Sequence, residues 1–229
     1  MVPARSTIVA DTGWLSPVRR STEWFMNLEE MIKASPDTPW KAVNEIKRLM
    51  WMPVIRSYFV LHGVRWGTGW SIYGLPVIQK FRGSAILIGD DFEMRNWFNS
   101  NPLGVNHPCI LATWAADAKI EIGKAVGMSG ARICAQTRVV IGDHVNLGAN
   151  CSIMDTDFHS LNGRTSAPSF GASAEVILEG DNLIGMQTVI LKGSRIGKGS
   201  IIGAGSVVAG EIPAKVVAAG NPARVIREL

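Results

Sequence analysis

The stretch "IMDTDFH" (Ile153 to His159) holds two carboxylates and an imidazole within five residues, with Asp155, Asp157 and His159 at two-residue steps. An imidazole that titrates near neutral pH can take a proton from a weak nucleophile such as an alcohol, a contribution of ~10²–10⁴ in rate. A carboxylate beside it can hold the ring in one tautomer, as in hydrolase triads. If the chain stays extended, residues two apart project to the same side, and the three groups would share one face. The same residue types also suit a metal site or a solvated polar turn. The four histidines, His62, His107, His144 and His159, have no close ligand spacing, so no metal is expected. Cys109, Cys134 and Cys151 are an odd set without a CxxC pair, expected to be reduced thiols of a cytosolic protein.

These groups sit inside a repeat. Written in sixes from Ile141, the chain reads IGDHVN, LGANCS, IMDTDF; from Leu178 it reads LEGDNL, IGMQTV, ILKGSR, IGKGSI, IGAGSV, VAGEIP. The first residue of each six is Ile, Leu or Val, the second is usually Gly, and the fifth is usually small or β-branched. A looser pair, IGKAVG and MSGARI, starts at Ile122, and the frame slips between Cys134 and Ile141. A period of six matches neither a helix nor an open alternating strand. It fits a triangular coil with three short sides per turn, whose leading aliphatic residues point to the axis. Successive turns then stack them into a ladder that no single repeat could bury alone.

The frame breaks once, between His159 and about Val176, in "HSLNGRTSAPSFGASAEV". Rich in Ser, Gly, Ala and Pro, this stretch is expected to leave the coil as a loop over 160–176 and to return, with the histidine at its root.

The first part of the chain differs in composition, with all eight tryptophans between Trp14 and Trp114. Ser21 and Thr22 can cap a helix that runs to about Lys33 with Trp24, Phe25, Leu28 and Ile32 at helical spacing. After the turn "SPDTP", Thr38-Pro39 starts a second helix with Val43, Ile46, Leu49 and Met50 as its apolar face, and Pro53 should end or kink it. The expected organisation is a helical segment over 1–62, a coil over 63–212, and a C-terminal tail over 213–229. The helices are expected to cap the open end of the coil. Tryptophans near Arg48, Arg56 and Arg65 also suit a weak contact with a membrane surface.

At 229 residues and 47% apolar, the chain can fill one domain with an appendage. A net charge of +4, spread along the chain, gives no footprint for nucleic acid. The N-terminus lacks a signal-peptide pattern, and the apolar run Leu49 to Ile55 is far short of the ~20 residues that span a bilayer. The expected location is the cytoplasm, or the inner face of its membrane.

The segments "VVIGDHVNLGANCSIMDTDFHSL", "LIGMQTVILKGSRIGKGSIIGAGSVV" and "AAGNPARVIREL" resemble the hexapeptide-repeat acyltransferases of left-handed β-helix fold. Within them the likeness is to CoA-dependent sugar O-acetyltransferases, over roughly Ile120 to Leu229. "NPLGVNHPCIL" is similar to a subset among surface-polysaccharide acetyltransferases.

The resemblance implies a mainly β, left-handed parallel coil assembled as a homotrimer, with acetyl-CoA lying in a groove between neighbouring subunits. It implies acetyl transfer to a saccharide hydroxyl by direct attack, without an acyl-enzyme, with backbone N–H groups stabilising the oxyanion. An amino-sugar N-acetyltransferase or a coil without chemistry are the alternatives.

His159 matches the family's catalytic histidine, with Asp155 and Asp157 as its helpers. Gly185, Ala204, Ala209 and Gly210 are placed along the pantetheine arm, and Arg224 and Arg227 on the CoA phosphates. Ser129 corresponds to a position near the acceptor. Asn106 and His107 either reach the acceptor or pack the N-terminal part onto the coil. The chain departs from the family pattern at Gly210-Glu211, where Lys-Asp is frequent, and at Leu183, where tryptophan is common.

Overall fold

The computed structural model describes residues 37–160 and 171–229, and the helix expected over Ser21 to Lys33 lies outside them. Short strands follow one another in a fixed cycle around three walls. Wall A runs from Ser71–Tyr73 to Val216–Gly220, wall B from Val77–Gln79 to Val207–Val208, and wall C from Ala85–Ile88 to Glu211–Ile212. Within each wall the strands from successive turns pair in parallel. The result is the three-sided coil expected from the period of six, the left-handed β-helix that the resemblance implies.

The register explains the period. Leu147, Ile184 and Ile202 stack on wall A, Ile153, Ile190 and Val208 on wall B, and Ile141, Leu178 and Ile196 on wall C. All are almost fully buried. Each such side chain contributes ~1.5–3 kcal/mol of hydrophobic transfer, so the ladder is the main source of stability. The fifth place of the six is small for a second reason. Thr188, Ser200 and Ser206 turn their hydroxyls inward at the corners and donate to the carbonyls of Gly185 (2.8 Å), Pro213 (2.6 Å) and Gly203 (2.6 Å). They satisfy carbonyls that a corner would otherwise leave unpaired.

The coil starts at Ser71–Tyr73, in a region without a legible six. Ile72, Met94 and Met128 stack on wall A as their later counterparts do. The segment expected as a tail instead extends the coil. Val216–Gly220 joins wall A, and Ala223–Glu228 folds back antiparallel upon it, through a turn with a cis Asn221–Pro222 peptide.

Helix α1 spans Pro39–Leu61. It begins at the expected proline but continues through Pro53, whose ring lies on the outer side and costs one backbone hydrogen bond rather than the helix. The face expected to pack is the one turned outward: Val43, Ile46, Leu49 and Met50 are exposed. Asn44, Ile55 and Phe59 are buried against the first coil instead. Phe59 meets Trp66 and Trp70 edge-on at 5.8 and 5.4 Å, and Trp70 meets Phe92 at 5.5 Å. A polar clamp adds direction: the Tyr73 hydroxyl donates to Glu45, which also takes the Arg48 guanidinium at 2.8 Å. The aromatic cluster outweighs the aliphatic stripe because rings fill the open end of the coil, where slim side chains would leave voids.

Candidate active site

The three walls meet at three edges, and the expected site residues fall mainly on the two edges of wall B. His159 lies on the edge between walls B and C, just after the strand Ser152–Met154. Phe158 has φ 60°, so the chain turns sharply there rather than staying extended. The His159 side chain is exposed, and its backbone N–H donates to the Asp157 carbonyl at 2.7 Å. Around it the chain leaves the coil and returns at one point. Asp157 N–H donates to Ala172 O (3.1 Å), Ala174 N–H to Asp155 O (2.9 Å), and Thr156 bridges Ser173. The body of the expected loop, 161–170, lies outside the described residues.

The three-residue face expected from two-residue spacing does not form. Asp155 is fully buried, and its carboxylate accepts the backbone N–H groups of Gln136 (2.6 Å), Thr137 (2.7 Å) and Arg138 (2.7 Å). It ties down the turn between Arg132–Ala135 and Arg138–Ile141, where the six-residue frame slips. A corner one residue out of frame leaves several N–H groups without a ladder partner, and one carboxylate collects them. Asp157 is exposed and pairs with Lys192 at 3.2 Å. Lys192 sits one turn further along the same edge, a partner that the sequence did not suggest. Trp114 is a second unforeseen neighbour, edge-on to Phe158 at 6.1 Å.

Ala209 and Gly210 occupy the same B–C edge, another turn along. Gly210 adopts φ 127°, and a Cβ there would meet nothing within 4 Å. Its openness suits a ligand running along this edge, past Lys192 toward His159.

Gly185 and Ala204 stack on the opposite edge of wall B, between walls A and B. A Cβ on Gly185 would stand 2.3 Å from the Ala204 backbone nitrogen. Close stacking of successive turns therefore accounts for this glycine without a ligand. Ser129 is lower on that edge, buried, with its hydroxyl bonded to Asn101 Nδ2 at 3.0 Å. Asn106 is exposed, and its backbone N–H donates to Asn150 Oδ1 at 3.0 Å. His107 accepts from Arg132 Nε at 2.7 Å, which clasps the 96–109 excursion to wall B. Ser129 and Asn106 thus come together, apart from His159. Leu183 is exposed on wall A. His144 occupies a corner with φ 58° beside Asp181 at 3.2 Å.

Arg224 and Arg227 are three residues apart, a spacing that would put them on opposite sides of a regular strand. The strand carries an irregularity, so that Arg224 pairs with Ala219 and Arg227 with Val217. Ala218 between these partners is buried, which turns both arginines to the outer face. Both side chains are exposed, and their hydrogen bonds are local, to the carbonyls of Ala223 (2.9 Å) and Glu228 (3.1 Å).

The three thiols are buried or half-buried. Burial pushes Cys109 up to about 12 and Cys151 up to about 11. Cys134 is raised to about 12 by burial and then by the Asp155 charge, against a hydrogen bond from Trp114. Thiolate, the reactive form, is therefore scarce at neutral pH.

Residues 175–210 match the family "Bacterial transferase hexapeptide (six repeats)". A 2,3,4,5-tetrahydropyridine-2,6-dicarboxylate N-acetyltransferase of Staphylococcus aureus is 39% identical over 87 residues, 38% of this chain and 32% of that protein. The chain thus spans about a third of the length of the curated relatives it matches. Among solved structures, AntD, an N-acyltransferase from Bacillus cereus in complex with dTDP-4-amino-4,6-dideoxyglucose and coenzyme A, superposes with a TM-score of 0.59 at 20% identity, covering 76% of this chain and 88% of its own. The hexapeptide-repeat acetyltransferase VCA0836 of Vibrio cholerae, complexed with acetyl coenzyme A, is 30% identical over 48% of this chain and 60% of its own, with a TM-score of 0.44. By its repeats and its three-walled coil, this chain is a hexapeptide-repeat protein with the left-handed β-helix fold of the hexapeptide-repeat acyltransferases.

Proposed function

We propose that the chain transfers an acetyl group from acetyl-CoA to a hydroxyl of a saccharide, with His159 as the general base. The observation that carries this reading is the exposed His159 imidazole at the root of the excursion, on the same edge as the open Ala209-Gly210 corner. His159 takes the proton of the acceptor hydroxyl as its oxygen attacks the thioester carbonyl. The C–S bond then breaks, and the departing CoA sulfur recovers the proton from the imidazolium. Backbone N–H groups beside the groove stabilise the oxyanion. Arg224 and Arg227, side by side on the outer face, take the phosphates.

Ser129, Gly185 and Ala204 lie on one edge of wall B, and His159, Ala209 and Gly210 on the other. In a homotrimer, one copy's A–B edge faces its neighbour's B–C edge, so that each site is completed across a subunit boundary. Asp157 helps at the acceptor, whereas Asp155 keeps its place in the corner. The acceptor belongs to surface-polysaccharide synthesis or to a precursor of it, and the protein works in the cytoplasm or at the inner face of the membrane.

An amine acceptor is the second reading, favoured by the similar S. aureus protein being an N-acetyltransferase and AntD an N-acyltransferase. A panel of paired hydroxyl and amino sugars, as nucleotide sugars and lipid-linked saccharides, read by CoA thiol release, separates the two. Turnover confined to the amino members would replace the hydroxyl reading. His159→Ala is expected to lose ~10²–10⁴ in rate while acetyl-CoA still raises the melting temperature. A variant with near-normal turnover would remove His159 from the mechanism, and a wild type with no shift at millimolar acetyl-CoA would leave a coil without chemistry.

A further inference from the structure

Helix α1 faces water with the side that an isolated amphipathic helix would bury. Val43, Ile46, Leu49, Met50, Val54 and Leu61 form a continuous outward band, with exposures from 48% to 84%. Scattered exposed apolar residues are ordinary, but a band along a whole helix of 23 residues marks a contact surface. Trp40 and Trp51, 57% and 46% exposed, stand at its borders. Tryptophan suits a boundary between oil and water, with an apolar body and a polar N–H.

The charges beside the band identify the occupant. Lys47 and Arg56 flank it on its two sides, and Lys41 is exposed at its start. The one acid of the helix, Glu45, is turned inward and taken up by Tyr73 and Arg48. Every outward charge on the helix is therefore positive. A second copy of the same band would bring Lys47 and Arg56 against like charges without an acidic partner. An anionic lipid surface answers both the band and its cationic borders. Among the described residues no helix is long and apolar enough to cross a membrane, so α1 would lie along the surface, a bar of about 35 Å.

We propose that the outer face of α1 seats the protein on an anionic lipid bilayer, with the band at the acyl boundary and Lys47 and Arg56 at the headgroups. This stands independently of the acetyl-transfer reading.

Co-flotation of the full-length protein tests it. Vesicles of phosphatidylcholine mixed with anionic phosphatidylglycerol are compared with vesicles of phosphatidylcholine alone. The protein is expected to float with the anionic vesicles, at least tenfold more than with the neutral ones, and less at high salt. Lys47→Glu with Arg56→Glu should abolish the preference for anionic lipid. Ile46→Asp with Met50→Asp should abolish flotation while the thermal melt, which reads the coil, stays within a few degrees of wild type. A wild type that remains in solution with both vesicles overturns the proposal, as would be seen if the preceding chain covered the band. An Ile46→Asp, Met50→Asp variant that still floats, or that changes the oligomeric mass instead, overturns it too and assigns the band to contact between copies.

Discussion

The carboxylate of Asp155 accepts the backbone N–H of Arg138 at 2.7 Å, from a position sealed from solvent. With the bonds from Gln136 and Thr137, this makes Asp155 a bracket for the corner beneath His159. Asp155→Ala leaves three N–H groups without an acceptor, at half-buried Gln136 and Arg138 and exposed Thr137. A loss of roughly 1–3 kcal/mol in urea unfolding is expected, since water can take up part of them. Asp157→Ala removes only an exposed ion pair and should cost less than about 1 kcal/mol, so a larger loss of activity than of stability would locate Asp157 at the acceptor.

The arginine pair flanks one irregular residue. Arg224→Ala and Arg227→Ala should each raise the KM for acetyl-CoA by about tenfold with little change in kcat, as expected for one lost charge-assisted contact. Ile226 is the unpaired residue of the irregularity, and its deletion would regularise the strand while leaving the two arginines two residues apart, still on one face. That variant should weaken CoA much less than the double alanine variant, and isothermal titration reads the difference.

Gly185 tests packing against ligand approach. A methyl group there meets the Ala204 backbone at 2.3 Å, which neither turn can yield without separating. Gly185→Ala should lower stability by roughly 1–3 kcal/mol in the absence of any ligand. A variant as stable as wild type but with a raised KM for acetyl-CoA would instead return Gly185 to the binding surface.

Stability should fall in alkali. The folded protein holds protons on Cys109 and Cys134 up to about 12, and on Cys151 up to about 11, from an ordinary value of 9.0. Burial also raises Tyr73, with Glu45 next in effect. Between pH 9 and those values the unfolded chain binds fewer protons than the folded one, so unfolding becomes easier as pH rises. The contribution is complete below pH 9. Chemical denaturation from pH 8 to 11 should show the decline, and Cys109→Ala should flatten its slope.

The sequence is most legible where sixes run unbroken. From Leu178 to Val208 each leading aliphatic residue is buried in register, because position in the six and position on the wall are the same thing. Around Ile72 and Met94 the same ladder exists, but the excursion at 96–109 separates the stacked residues and hides the period. Helix α1 misled for a different reason. Both of its sides are apolar, and local periodicity cannot tell that the open coil end selects Ile55 and Phe59 over Ile46 and Met50. His159 was visible as a reactive type beside a break in the repeat. Asp155 carried the same signal, yet its partners are backbone groups of a distant corner, which leave no trace in residue types. The shared face of Arg224 and Arg227 was hidden in the same way, since it arises from pairing with Val217 and Ala219.

The excursion after Met154 departs and rejoins within a few ångströms, and the wall B ladder passes it undisturbed, Ile153 resting directly on Ile190. Lengthening such a detour costs little, about 0.6 kcal/mol for each doubling. The appendage can thus be lengthened or exchanged while the stack that carries it keeps its sequence, much as one handle takes many blades.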